Sequence, residues 1–167
     1  MLRIFLFFLM TVMLGQSQDS VIDPYSGPEF QALVRKADPL PVEESLKAFD
    51  VPDGFGMELV AVSPDIGQPM NLAFDERGRL WVSSTLEYPY AAPIGQPGRD
   101  TIKVFEDTTG DGRYDKISTF ADGLNIPTGI YPYRDGVIAW SIPNIWFLRD
   151  TDGDGRTDKR TELYGPL

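Results

Sequence analysis

Cysteine and histidine are both missing from this chain of 167 residues. Without cysteine there is no disulfide, thiolate metal site, iron–sulfur cluster, CxxCH haem attachment or cysteine nucleophile within these residues. Without histidine, a Ser-His-Asp triad, a histidine-ligated zinc and an imidazole base are excluded as well. Positive charge is scarce. Fifteen Lys and Arg stand against 25 Asp and Glu, for a formal charge of −10. That balance speaks against nucleic acid and anionic membrane as partners, because both need a basic surface. Long apolar runs are lacking too. The run at residues 4–14, just behind Arg3, is eleven residues long, whereas a bilayer span needs about 20.

That short run has the form of a secretory leader. Gly15 and Ser17 sit at a −3/−1 spacing, so the expectation is a signal peptide over residues 1–17, cleavage after Ser17, and export to the periplasm or the exterior. An uncleaved membrane anchor is the weaker reading. Residues 18–50 read as an extended lead-in, broken by Pro24, Pro28, Pro39 and Pro41, with one helical turn or two at residues 43–47. From residue 51 the pattern turns to short apolar runs between turn residues, in a chain with 16 Gly and 14 Pro. A strand is expected over residues 57–62, a hairpin over 72–82 turning at Asp75-Glu-Arg-Gly78, and a second hairpin over 129–140 turning at Arg134-Asp-Gly136. Residues 101–105 and 145–148 supply further strands, and residues 87–99 a longer loop.

An internal repeat organises this region. Ile102-Lys-Val-Phe-Glu-Asp-Thr-Thr-Gly-Asp-Gly-Arg-Tyr-Asp-Lys116 returns as Ile145-Trp-Phe-Leu-Arg-Asp-Thr-Asp-Gly-Asp-Gly-Arg-Thr-Asp-Lys159, an offset of 43 residues. A β-type repeat of about 40–50 residues is the length of one four-stranded propeller blade. The fold expected is therefore all-β, a partial β-propeller over residues 51–167 with about 2.7 blades. Either the remaining blades lie in a longer chain, the favoured reading, or copies self-associate to complete a ring.

The repeat carries acidic loops. Asp150, Asp152 and Asp154 stand at positions 1, 3 and 5 of a DxDxDG string. Carboxylates at that spacing converge on one Ca²⁺, with Gly155 at the sharp turn, the Arg156 carbonyl at position 7 and Asp158 at position 9, binding directly or through water. Thr161 stands where an EF-hand has its bidentate Glu, and the flanks read as strands. The expectation is a calcium loop between strands, not an EF-hand sensor. The earlier copy offers Asp107, Asp111 and Asp115 but has Thr109 at position 3, which predicts weaker binding. The competing reading makes both loops Asp/Gly turns whose carboxylates cap backbone amides. Two fainter candidates are an acid/base pair of Glu87 with Asp100, and sugar stacking by Tyr88 and Tyr90. Trp81, Trp140, Trp146, Tyr131 and Tyr133 are expected mostly in the core between blades.

Three strings together resemble a known family: Phe74-Asp-Glu-Arg-Gly-Arg-Leu-Trp-Val82, Gly98-Arg-Asp-Thr-Ile-Lys-Val-Phe-Glu-Asp107 and Thr119-Phe-Ala-Asp-Gly-Leu-Asn-Ile-Pro-Thr-Gly129. They look like the membrane-bound dehydrogenase domain of planctomycete-type bacteria, a propeller related to soluble quinoprotein glucose and sorbosone dehydrogenases. The resemblance runs over about residues 42–167. It implies an exported, six-bladed propeller that oxidises a sugar or alcohol, with pyrroloquinoline quinone and haem c as the family's cofactors. Those relatives use a histidine base, so no catalytic or cofactor-binding residue carries over to this chain.

Two functions follow as expectations. In the first, the chain is the amino-terminal part of an exported quinoprotein-like dehydrogenase, stabilised by calcium and inactive alone. In the second, it is a non-catalytic calcium-binding propeller that binds carbohydrate or protein.

Overall fold

The computed structural model describes residues 40–93 and 95–167, together with Gly27, Pro28 and Ala32. The expected signal peptide, and the lead-in up to residue 39 apart from those three residues, lie outside the described residues. Residues 42–167 form one compact unit. It opens with a single short helix, α1 (Val42–Lys47), at the place where a helical turn was expected. Glu43 and Glu44 lie in its first turn and Lys47 in its last, the arrangement that complements the helix dipole.

All other regular structure within residues 42–167 is β. Eight strands follow: β1 (Gln68–Phe74), β2 (Leu80–Thr85), β3 (Asp100–Glu106), β4 (Lys116–Leu124), β5 (Gly129–Tyr133), β6 (Gly136–Ser141), β7 (Asn144–Arg149) and β8 (Lys159–Tyr164). They form two antiparallel meanders, β1-β2-β3-β4 and β5-β6-β7-β8. Both expected hairpins are present, as β1–β2 and β5–β6.

Two expectations change. Residues 57–62 are not a strand; they run without ladder partners, and Met57, Leu59 and Val60 are exposed. Their apolar pattern is strand-like, but a strand needs a neighbour to take its backbone groups, and no described strand pairs with them. The expected 2.7 blades become two four-stranded sheets. The surplus length lies in residues 51–67, which hold no strand, and between β2 and β3, where the described residues 86–93 and 95–99 are irregular.

The sheets pack face to face through one core. Trp81, Ile102, Val104, Phe120, Ala121 and Leu124 come from the first sheet, Val137, Ala139 and Leu148 from the second, with Ile130 and Trp146 packed against them. Trp81 and Phe120 meet edge to face, their ring centroids 4.7 Å apart. A second, smaller core of Leu80, Val82 and Phe105 lies on the opposite face of the first sheet, under Ala61, Ile66 and Tyr114.

The ladder registers make the two sheets equivalent residue by residue. Leu80 faces Phe105 as Val137 faces Leu148, and Trp81 faces Val104 as Ile138 faces Phe147. So the face of the second sheet turned toward the first (Val137, Ala139, Leu148) matches the first sheet's other face (Leu80, Val82, Phe105). The face of the first sheet turned toward the second (Trp81, Ile102, Val104) matches Ile138, Ile145 and Phe147. The packing is head to tail, as in a repeat array.

Candidate metal loop

The turn between β7 and β8 holds the acidic repeat. Asp158 N–H bonds back to the Arg149 carbonyl at 2.9 Å, closing the loop at its neck. Gly153 and Gly155 take φ of 82° and 87°, a left-handed backbone that a side chain disfavours. The loop turns there and brings three carboxylates together. One oxygen each from Asp150, Asp152 and Asp154 lies within 4.8 Å of the others.

Asp150 also organises the loop backbone. Its Oδ1 accepts from Gly153 N–H at 2.7 Å and Asp154 N–H at 3.2 Å, and its Oδ2 from Gly155 N–H at 2.9 Å. Asp152 Oδ1 accepts from Asp154 N–H, and Asp154 Oδ1 from Arg156 N–H at 2.8 Å. Amide capping and carboxylate convergence therefore occur in the same loop. Oxygen-only donors of this kind suit Ca²⁺ over softer metals.

Asp158 does not join the cluster. Its carboxylate accepts from Thr151 N–H at 3.1 Å and Thr151 Oγ1 at 2.6 Å. The Thr151 hydroxyl bond, followed by the backbone bond, holds Asp158 below its ordinary value of 3.8. Arg156 points its guanidinium away, to Asp122 at 3.2 Å.

The turn between β3 and β4 repeats the plan. Asp107 caps Gly110 N–H at 2.6 Å and Gly112 N–H at 2.8 Å, and Asp115 takes both Thr108 donors. Bonds from the Gly112 amide first, then those of Gly110 and others, lower the Asp107 pKa. Asp111 accepts from Arg113 N–H at 2.9 Å. Among the described residues, no group of three carboxylates converges here, because Thr109 replaces the one that Asp152 supplies.

The fainter candidates resolve differently. Glu87 and Asp100 are close, although nothing in the sequence brought them together, but the contact is between backbone and side chain. Asp100 is fully buried and accepts from Leu86 N–H at 2.6 Å, Glu87 N–H at 3.3 Å, Thr85 Oγ1 at 2.7 Å and Ile126 N–H at 2.8 Å. This carboxylate ties the 86–99 loop and the β4–β5 crossing to the sheet. Sequence reading did not assign it that role; the signal was a lone acid opening an apolar strand. Asp75 is a second such hub, bonding Arg77 N–H, Arg79 N–H, Arg79 Nε and Trp81 Nε1. Trp81 is buried in the core and Trp146 packs against it, as expected. Tyr131 and Tyr133 instead stack on an open face. Tyr88 and Tyr90 are exposed.

Among the described residues, no helix is long and apolar enough to cross a membrane. A family described as a domain of unknown function (DUF7133) matches residues 41–167, three quarters of the chain, and the chain belongs to that family. Neither a curated protein nor a solved structure matches it. The family description names no activity, so the dehydrogenase and haem relations rest on motif resemblance alone.

Proposed function

We infer that residues 42–167 are a calcium-stabilised module of an exported β-propeller, and that the 150–158 loop holds the ion. The supporting observation is the convergence of Asp150, Asp152 and Asp154. Asp152 and Asp154 each accept a single loop amide bond and present free lone pairs to a cation, and the Arg156 carbonyl stands at position 7. The ion would neutralise carboxylates crowded at a tight hairpin, and its role is structural. Extracellular modules of this kind bind at about 10⁻⁴–10⁻³ M. The 107–115 loop is the weaker copy.

The propeller reading is supported by two equivalent four-stranded meanders packed head to tail, joined from outer strand β4 to β5, which lies against β1 and β2. Oxidation of a sugar or alcohol, with a quinone and haem c, enters only as what the resemblance implies for a complete propeller. Within these residues the role is structural and no side chain is assigned to turnover.

Titration calorimetry of the chain with CaCl₂ tests the reading. Saturable heat that Asp152→Ala and Asp154→Ala each abolish supports it. A parent chain that gives no heat at millimolar Ca²⁺ rejects it.

A further inference from the structure

The β7–β8 loop touches more than its own hairpin. Thr157 N–H donates to the Phe120 carbonyl of β4 at 2.7 Å. Two residues along that strand, the Asp122 carbonyl accepts from Arg160 Nη2 of β8 at 2.7 Å. The Asp122 carboxylate accepts from Arg156 Nη2 at 3.2 Å. These bonds tie the loop and the outer strand of the second sheet to the outer strand of the first. The core between the sheets starts beside them, where Phe120 and Ala121 of β4 are buried with Leu148 of β7.

The peptide group between Arg156 and Thr157 therefore serves two arrangements at once. Its N–H donates to the first sheet. Its carbonyl is the position-7 oxygen of the acidic loop. In this trans peptide the two groups lie in one plane and point opposite ways. A cation held on the oxygen side draws electron density through the amide. The N–H on the other side becomes a stronger donor, as in a chain of mutually polarising hydrogen bonds. Thr157 is also anchored at the neck of the hairpin, where its hydroxyl donates to the Arg149 carbonyl at 3.1 Å and the Lys159 carbonyl at 3.3 Å. Ordering of the loop thus reaches the first sheet through a residue held at both ends.

We propose that ion binding in the 150–158 loop and docking of the second sheet on the first are coupled through the Arg156–Thr157 peptide, so that Ca²⁺ tightens the junction between the sheets. The proposal rests on the calcium reading above. Such coupling is reciprocal: a change that loosens the junction must weaken binding of the ion by the same factor.

Arg160→Met tests it, because charge and coupling act on it in opposite directions. Arg160 lies outside the loop and holds the Asp122 carbonyl across the junction. Loss of a positive charge near a cation site should by itself tighten Ca²⁺ binding, whereas loss of the cross-sheet bond should weaken it. Lys159→Met removes the same charge from the neighbouring position of β8 and is the control. Titration calorimetry of the full chain with CaCl₂ should show Arg160→Met binding roughly fivefold more weakly or worse, and Lys159→Met binding no more weakly than the parent. Amide hydrogen exchange of the parent is the second measurement and needs no variant to fold: Ca²⁺ should slow exchange at Thr157 N–H by a similar factor. Unchanged or tighter binding by a folded Arg160→Met chain overturns the proposal and leaves the calcium reading standing. Thr157 exchange that ignores bound Ca²⁺ overturns it likewise. A parent chain that gives no heat overturns the calcium reading and the coupling together.

Discussion

The guanidinium of Arg156, at position 7 of the second acidic loop, sits 3.2 Å from Asp122 on the neighbouring sheet, and Arg160 joins the same carboxylate at 3.5 Å. Beside them, Thr157 N–H donates to the Phe120 carbonyl at 2.7 Å, a backbone bond from the β7–β8 turn to β4 of the first sheet. Arg113 holds position 7 of the first loop and sits 3.8 Å from Glu58. The segment around Glu58 thus takes, against the first sheet, the place that β4 takes against the second. Ala61 and Ile66 cover Leu80, Val82 and Phe105, just as Phe120, Ala121 and Leu124 share a core with Val137, Ala139 and Leu148. This explains the strand-like pattern of residues 57–62: they cover a face as an outer strand does, and among the described residues no strand pairs with them.

The Arg156–Asp122 pair is solvent-exposed on both sides, so its own contribution is small. Asp122→Ala should cost about 0.5 kcal/mol or less, and the cost should fade as salt rises. Urea denaturation at low and high ionic strength measures it. A loss several times larger, unchanged by salt, would mean that the pair is more than a surface contact.

Asp100 is the opposite case. It is buried and accepts from three backbone amides and one hydroxyl. Asp100→Ala leaves those donors unpaired and should destabilise by about 3 kcal/mol or more. The 86–99 loop, anchored there through the Leu86 and Glu87 amides, should become sensitive to protease first. Chemical denaturation and timed proteolysis check both outcomes, and a near-neutral substitution would contradict the geometry.

Calcium should raise the thermal midpoint. Ligand at 10 times Kd stabilises by about 1.4 kcal/mol, so with binding at about 10⁻⁴–10⁻³ M a few millimolar CaCl₂ should produce a modest shift that EDTA reverses and Asp154→Ala removes. Thr109→Asp restores the missing carboxylate of the first loop and should add to the shift. Differential scanning calorimetry with and without the ion reads all three.

Acid should loosen the two loops late. The Thr151 hydroxyl and amide lower the Asp158 pKa below its ordinary value of 3.8, and the Thr108 amide and hydroxyl do the same for Asp115. A carboxylate lowered on folding contributes stability that is fully present above its unfolded value. That stability is lost as pH falls through the lower folded value. Thr151→Val removes the hydroxyl donor, so the Asp158 carboxyl should titrate closer to 3.8. Carboxyl chemical shifts followed against pH measure it; an unchanged titration would show that the hydroxyl bond does not hold the charge.

Much of the fold was legible because its signals are local. The turns at Asp75 and Arg134, the alternation in residues 101–105 and 145–148, and the 43-residue repeat lie within a few residues of the strands they define. The acidic loop was legible too, since Asp150, Asp152 and Asp154 converge through the backbone of their own hairpin. What was not legible depended on distant partners. Residues 57–62 had the pattern of a strand, but pairing is decided by a neighbour that the pattern does not name. Asp158 stands at position 9, where contact with an ion directly or through water was expected, and the bonds that Thr151 donates to its carboxylate in the folded loop are not written in that spacing.

The sequence by itself determined an acidic chain without thiol or imidazole chemistry, built of β-hairpins and punctuated by two Asp/Gly loops, because composition and turn residues act over short range. Only the tertiary structure decided that the strands divide into two equivalent sheets, that Asp100 braces the β2–β3 loop and the β4–β5 crossing, and which sheet faces meet. Those outcomes depend on which apolar surfaces meet, and burial is a property of the assembled sheets that no single segment carries.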